Sequence, residues 1–170
     1  RYRAHPEARV LHGYNPTFDA ALLEMLLAFR SGACLVVAPP DVYGGAELQL
    51  LLTAQNVTHY LSTPSVLATL EPRELDALQV VAVGGEALGP LQAAAWSEGR
   101  VMLNGYGPTE STVVATLAEV GADVTIGTPV PGTTATVLDD RLRPVPLGGV
   151  GELYLEGLGL ALGYVADPAL

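Results

Sequence analysis

The sequence contains no lysine, and its 8 basic residues are all arginines, set against 18 acidic residues. The formal net charge of −10 argues against nucleic acid as a partner, because nucleic acid binding depends on dense basic patches that neutralise phosphates. Anionic membrane surfaces are disfavoured for the same reason. Glu24, Arg30 and Pro39 interrupt the apolar stretches well short of the roughly 18 residues that a membrane-spanning helix requires. We therefore predict no nucleic acid and no membrane among the partners.

Cysteine is almost absent as well. The single cysteine, Cys34, lies in an apolar run and is predicted to be a buried structural thiol. One cysteine permits no disulfide within the chain, and no secretory segment opens the sequence, so we expect a cytoplasmic protein. The three histidines have no metal-ligand spacing with Cys34 or with each other.

Apolar residues make up 49% of the 170 residues, enough for a sizeable core. Continuous apolar segments of strand length alternate with helical segments, which is typical of a parallel sheet covered by helices on both faces. We therefore predict an α/β, flavodoxin-like fold. The predicted helices include a fully buried one over Asp19 to Arg30, one ending near Asn56, one beginning near Ser65 and one between Gly89 and Gly99. The predicted strands are Cys34 to Ala38, Thr58 to Ser62, Val80 to Val83 and Val101 to Leu103.

The alternation of apolar strand segments with helical segments ends after about Leu117. Two later segments, Thr134 to Leu138 and Glu152 to Leu155, alternate in polarity and are separated by turn residues, which favours antiparallel β structure. We predict an α/β subdomain over residues 1–117 and a β-rich continuation of the same large domain over residues 118–170.

Ligands of open parallel sheets bind at the carboxyl ends of the strands, so the loops that follow the predicted strands are the candidate sites. The richest of these is Asn104 to Thr112, which reads N-G-Y-G-P-T-E-S-T. Its glycines allow close approach to the backbone, its tyrosine can stack on a flat ring, its threonine hydroxyl can hold a phosphate oxygen, and its carboxylate can hold Mg²⁺. These residue types suit Mg-ATP, although the same residues can also form a simple tight turn.

This segment resembles the Y-G-P-T-E motif of adenylate-forming enzymes, in the form found in adenylation domains of nonribosomal peptide synthetases. Phe18 to Ala21 resembles the F-D-x-S element of that family, and Gly84 to Leu88 resembles its G-G-E-x-L turn. The stretch from Gly151 to Tyr164 is similar to G-E-L-x-x-x-G-x-G-L-A-R-G-Y. Ala21 replaces the frequent serine, and Leu162 replaces the usual arginine. The Lys-Gly-ending phosphate loop of the family would precede Arg1, and its catalytic lysine would follow Leu170.

The resemblance implies a role for each residue of the nucleotide site. Tyr106 would stack on adenine, while Asn104 and the carbonyl of Gly105 would meet its exocyclic amine. Thr109 would contact the α-phosphate and Glu110 would hold Mg²⁺, which makes these two the candidate catalytic residues. The remaining nucleotide-binding candidates are Gly84, Gly85, Glu86 and Gly107.

The resemblance also implies a substrate pocket. Asp19 would pair with the α-ammonium of an amino acid, although a carboxylate in the first turn of a helix is also favoured by the helix dipole. The other candidates are small or aliphatic and could instead be ordinary core: Ala20, Leu23, Leu61, Ala82, Gly84, Gly105, Val113 and Val114. Their character predicts a large apolar side chain on the substrate.

The function implied is formation of aminoacyl-AMP from an amino acid and Mg-ATP. The acyl group would then pass to the phosphopantetheine thiol of a carrier domain, with a condensation domain also present in the parent synthetase. The alternatives are an acyl-CoA or aryl-acid ligase of the same superfamily and a non-catalytic flavodoxin-like nucleotide-binding module.

Because the phosphate loop and the catalytic lysine are expected outside these 170 residues, we predict that the chain by itself does not support ATP–pyrophosphate exchange. Each lost transition-state contact raises the barrier by about 3 kcal/mol, so the rate should fall by several powers of ten. Robust exchange by the purified chain would contradict this expectation.

Overall fold

A computed structural model describes residues 1–167 of the chain. It contains a seven-stranded sheet, a separate two-stranded sheet and four α-helices. The strands are β1 Arg9–His12, β2 Cys34–Val37, β3 His59–Ser62, β4 Val80–Val83, β5 Val101–Tyr106, β6 Thr116–Glu119, β7 Thr128–Pro129, β8 Thr133–Leu138 and β9 Glu152–Gly157. The helices are α1 Ala20–Ser31, α2 Gly45–Ala54, α3 Pro64–Leu67 and α4 Pro90–Ser97, with 3-10 turns at Pro72–Glu74 and Thr109–Ser111.

The large sheet has the strand order β2-β1-β3-β4-β5-β6-β7. Its first five strands are parallel, and β6 and β7 are antiparallel additions at one edge. Strands β8 and β9 form the antiparallel two-stranded sheet. This architecture confirms the predicted class, a helix-covered parallel sheet followed by a smaller antiparallel segment.

Two strands differ from the prediction. Strand β1 was not predicted, because only Val10 and Leu11 are apolar within it, yet it lies between β2 and β3. Strand β5 runs on through Tyr106, so the first three residues of the segment expected as a loop are strand residues. The expected boundary after residue 117 falls inside β6, which pairs with β5 in the large sheet. Division of the chain into two units there stays a prediction.

Alternate residues of the central strands point to opposite cores, which explains their continuous apolar character. Val81 and Val83 of β4 face the core covered by α2, α3 and α4, whereas Val80 and Ala82 face the core beside α1. Burial of each large aliphatic side chain contributes about 1.5–3 kcal/mol. No helix within residues 1–167 is long and apolar enough to cross a membrane.

Two burial predictions were wrong. Helix α1 presents only one side to the sheet, through Ala21, Glu24 and Ala28, while a stripe that includes Leu26 and Phe29 is more than half exposed. A helix that packs on a sheet along one face leaves its other face uncovered, whatever its composition. The thiol of Cys34 is exposed rather than buried, since this residue begins β2 at the sheet edge.

The buried His59 of β3 makes folding sensitive to acid. Its side chain is 1% exposed, and Nδ1 lies 2.8 Å from the hydroxyl of Thr58. Burial lowers the pKa of His59 from its ordinary 6.5, so the folded state favours the neutral ring. Above pH 6.5 the ring is neutral in both the folded and the unfolded state, so His59 does not reduce the free energy of unfolding. As the pH falls from 6.5 through the lower pKa of the folded state, the unfolded state binds the proton more readily, and the free energy of unfolding decreases.

We therefore expect the Tm of the protein to fall between neutral and mildly acidic pH, and to fall less in His59→Leu. Thermal unfolding across this pH range measures the difference between the two proteins. Titrating groups that do not neighbour His59 are common to both proteins and cancel in the comparison. Parallel pH profiles would contradict the assignment to His59.

Candidate functional site

A cavity of about 400 Å³ opens at the carboxyl ends of β3, β4 and β5, next to the start of α1. It brings together all the residues predicted for the substrate pocket and part of the predicted nucleotide site. Its lining comprises Tyr2, Tyr14, Phe18, Asp19, Ala20, Leu23, Leu61, Ser62, Thr63, Ala82, Val83, Gly84, Gly85, Glu86, Gly105, Gly107, Val113 and Val114.

The parallel register explains why residues so distant in sequence meet here. Leu61 of β3 pairs with Ala82 of β4, which pairs with Leu103 of β5, so β3 and β4 end at the same level and β5 continues two residues further, through Tyr106. At this edge the backbones approach closely: a Cβ atom placed on Gly84 would lie 3.1 Å from the carbonyl oxygen of Gly105. A side chain at Gly84 would therefore push the two strand ends apart.

Asp19 lies at the N-cap position of α1 and lines the cavity. Its side chain makes no capping hydrogen bond, and its carboxylate accepts no hydrogen bond from any residue between 1 and 167. Asp19 therefore does not cap the helix through its side chain, although its position at the N-terminus of α1 is one where the helix dipole also favours a carboxylate. A half-buried carboxylate without a partner is suited to pairing with a cation that enters the cavity.

Asn104 and Tyr106 lie outside the cavity lining. Asn104 is buried, and its amide nitrogen donates to the carbonyl of Thr125 at 2.8 Å, which ties the end of β5 to the segment before β7. Tyr106 ends β5 and leaves 41% of its side-chain surface exposed. Its ring is therefore accessible to a flat ligand beside the cavity.

Thr109 and Glu110 also lie outside the lining, in the exposed 3-10 turn that follows β5. The Glu110 carboxylate accepts a hydrogen bond from the hydroxyl of Tyr164, which lowers the pKa of Glu110 and raises that of Tyr164. Glu110 is therefore ionised at neutral pH. No cluster of three or more metal-ligating side chains occurs in the described part of the chain. A single carboxylate still fits Mg²⁺ that is held mainly by water and substrate phosphates.

Glu86 lines the cavity, and its carboxylate is hydrogen-bonded to Ser65. It accepts hydrogen bonds from the Ser65 hydroxyl at 2.7 Å and from the Ser65 amide at 2.9 Å, and the hydroxyl contributes most to lowering the pKa of Glu86. Glu86 thus holds the first turn of α3 against the glycine turn after β4.

Two tyrosines of the lining, Tyr2 and Tyr14, were not predicted. Burial raises the pKa of both phenols, to about 12 for Tyr2 and further for Tyr14. Recognition of β1 would have identified Tyr14, because this residue follows the carboxyl end of that strand.

Glu24 was also missed, although a lone carboxylate within an otherwise apolar helix is itself a signal. Its side chain is completely buried, accepts hydrogen bonds from the amides of Gly13 and Tyr14, and lies 2.8 Å from Nδ1 of His12. Burial raises the pKa of Glu24, and these hydrogen bonds oppose the rise. Glu24 thereby fixes Tyr14 and the loop after β1 to α1.

The sequence model of the AMP-binding enzyme family matches residues 1–165. The chain belongs to this family. Phosphinothricin tripeptide synthetase PhsC of Streptomyces viridochromogenes is 46% identical over 166 residues, which cover 96% of this chain and 15% of PhsC. These findings confirm the resemblance on which the sequence analysis rested.

Solved structures of adenylation domains have the same fold. PA1221, a nonribosomal peptide synthetase protein containing adenylation and PCP domains, superimposes with a TM-score of 0.88 at 28% identity, over 98% of this chain and 31% of PA1221. The adenylation domain AlmE of Vibrio cholerae, in complex with glycyl-adenosine-5'-phosphate, gives a TM-score of 0.85 at 27% identity, over 96% of this chain and 34% of AlmE. The chain therefore spans about a third or less of these three relatives.

Gly107 provides a test of the site's backbone geometry. A Cβ atom at this position would lie 2.6 Å from the amide nitrogen of Ala115 and 2.7 Å from the carbonyl oxygen of Val113. We expect Gly107→Ala to lower the free energy of unfolding by about 1–3 kcal/mol, because backbone atoms must move to admit the methyl group.

The matched control is Gly121→Ala, since a Cβ atom there meets nothing within 4 Å. It should change stability by less than about 0.5 kcal/mol. Urea unfolding of both variants in the parent domain measures the difference. Equal stabilities would show that the close approach at Gly107 is not required.

Proposed function

We propose that the chain is the α/β core of an enzyme that adenylates an amino acid. The observation that carries this proposal is the unpartnered carboxylate of Asp19 in a largely small-residue and aliphatic cavity, beside the glycine turns of β4 and β5. An α-amino acid has the two groups that this arrangement requires, an ammonium for Asp19 and a carboxylate to be activated. The adenylate bound to the similar protein AlmE supports the same reaction class.

In the proposed reaction a carboxylate oxygen of the amino acid attacks the α-phosphorus of ATP. A new O–P bond forms as the bond to pyrophosphate breaks, giving aminoacyl-AMP. Bound Mg²⁺ would neutralise charge on the departing pyrophosphate. Within this chain, Glu110 would hold the metal and the hydroxyl of Thr109 would contact the α-phosphate.

The adenine would lie against the exposed ring of Tyr106. Asn104 donates through its amide nitrogen to Thr125, which leaves its amide oxygen free to accept from the adenine amine together with the carbonyl of Gly105. Gly84, Gly85, Glu86 and Gly107 would border the nucleotide, where the absence of side chains at the glycines permits close approach.

The walls of the cavity support a large and mainly apolar substrate side chain. Leu23, Leu61, Val113 and Val114 are aliphatic, while Ala20, Ala82, Gly84 and Gly105 leave room. Tyr2, Tyr14 and Ser62 also line the cavity, and the Ser62 hydroxyl donates to the hydroxyl of Tyr60 at 2.9 Å.

The proposed partners are those of a peptide synthetase: a carrier domain with a phosphopantetheine thiol, and a condensation domain. The combination of adenylation and PCP domains in the similar protein PA1221 supports the carrier. We place the parent protein in the cytoplasm. The alternative of an aryl-acid or acyl-CoA ligase provides no partner for the Asp19 carboxylate.

ATP–pyrophosphate exchange by the intact parent protein with a panel of acids tests this function. We expect the fastest exchange with large apolar α-amino acids such as Leu, Phe or Trp. Asp19→Asn should reduce kcat/KM for the amino acid by about 10²-fold, because the ammonium loses its charged partner. The exposed Asp140→Asn is the matched control and should leave the rate unchanged.

Two outcomes would contradict separate parts of the proposal. Fastest exchange with Asp, Glu, Lys, Orn or Ser would show that the apolar pocket is wrongly assigned. Fastest exchange with a fatty or aryl acid, unaffected by Asp19→Asn, would remove the role of Asp19 altogether.

A further inference from the structure

The segment after β9 packs directly against the turn that carries Glu110. The Tyr164 hydroxyl donates to Oε1 of Glu110, and the Ala161 amide donates to the Glu110 carbonyl oxygen at 2.7 Å. The hydroxyl of Thr112 donates to the Gly159 carbonyl oxygen at 2.6 Å. Three hydrogen bonds therefore join two segments that lie about fifty residues apart in the sequence.

Glycine makes this contact possible. A Cβ atom at Gly159 would lie 3.2 Å from the carbonyl oxygen of Ser111, closer than ordinary side-chain contact. The same segment is tied to the two-stranded sheet, because the Leu158 amide donates to the carbonyl of Gly132 at 3.2 Å. Residues 157–164, which we term the platform, thus connect the small sheet to the 3-10 turn of Thr109–Ser111.

The hydrogen bond from the platform restricts the conformation of the Glu110 side chain. Glu110 is exposed, so its side chain would otherwise sample several rotamers, and that freedom would be lost on metal binding. The Tyr164 hydroxyl donates to Oε1, whereas no other residue between 1 and 167 donates a hydrogen bond to Oε2. One oxygen is anchored and the other is available to a ligand.

We propose that Tyr164 is a positioning residue for Glu110, orienting its free carboxylate oxygen toward the Mg²⁺ of the nucleotide. This inference rests on the proposed metal role of Glu110. Hydrogen bonds to metal-binding carboxylates commonly fix their orientation and raise metal affinity. It also assigns a function to Tyr164, the last residue of the family-like stretch from Gly151, which the proposed reaction otherwise leaves unused.

The test measures metal binding without turnover in the intact parent protein. Mn²⁺ replaces Mg²⁺ as a paramagnetic probe, and its Kd is determined by electron paramagnetic resonance in the presence of a non-reactive ATP analogue. Tyr164→Phe removes only the anchoring hydroxyl and should raise the Kd for Mn²⁺ about tenfold. A Kd equal to that of the unmodified protein would overturn the inference.

The chain supplies a matched control in Tyr154 of β9. Its side chain is 43% exposed, against 51% for Tyr164, and its hydroxyl makes no hydrogen bond within the described residues. Tyr154→Phe should leave the Kd for Mn²⁺ unchanged. A rise equal to that of Tyr164→Phe would show a general effect of the small sheet and would overturn the specific role of Tyr164.

A second variant keeps the test informative if Tyr164→Phe proves unstable. Thr112→Val removes the hydroxyl that binds Gly159, and should weaken Mn²⁺ binding in the same direction, whereas Thr112→Ser should retain it. Unfolding midpoints of all variants are measured in parallel. Equal Mn²⁺ binding by the Val and Ser variants would contradict a positioning role for the platform.

A double variant separates this inference from the proposed function. Glu110→Gln alone should weaken Mn²⁺ binding and lower pyrophosphate exchange by about 10²-fold. Adding Tyr164→Phe in that background should produce no further loss, because Tyr164 acts through Glu110. Additive losses would overturn the positioning role alone, while unchanged Mn²⁺ binding in Glu110→Gln would remove the metal role of Glu110 itself.

Discussion

The parallel register of β3, β4 and β5 is the constraint on which the candidate site depends. It places Leu61, Ala82 and Leu103 side by side, so that β3 and β4 end at one level and β5 continues past them to Tyr106. Nothing larger than glycine fits at Gly84 without moving the Gly105 carbonyl. The cavity lies where these strand ends meet, and the glycines there allow the backbones to approach closely.

A second constraint comes from a buried charge. Glu24 is completely buried in α1 and binds the amides of Gly13 and Tyr14 after β1. A buried carboxylate is tolerated only with several donors, so this contact holds α1 in one position relative to the sheet. Asp19 and Leu23 lie on the same helix, and their places in the cavity follow from that position.

The sequence predicted much of the site because its residues cluster in short motifs at strand ends. The Gly84–Glu86 turn and the segment from Asn104 lie at the predicted edge of the sheet, whereas Asp19 was identified only through the family resemblance. Strand β1 contains only two apolar residues, which is too few for a hydrophobic period to predict a strand there. Tyr14 was missed for the same reason, since it becomes a site residue only once β1 is known to lie between β2 and β3.

The sequence by itself determined the α/β class, the order of most strands and helices, and the residue types at the strand ends. These features depend on local hydrophobic period and on turn residues, which act over a few positions. Only the tertiary structure decided that Asn104 binds Thr125, that Glu86 holds Ser65, that Tyr164 anchors Glu110 and that one side of α1 stays exposed. Each of these depends on contacts between residues far apart in the chain. Strand register and packing set the distances between such residues, and neither produces a periodic pattern in the sequence.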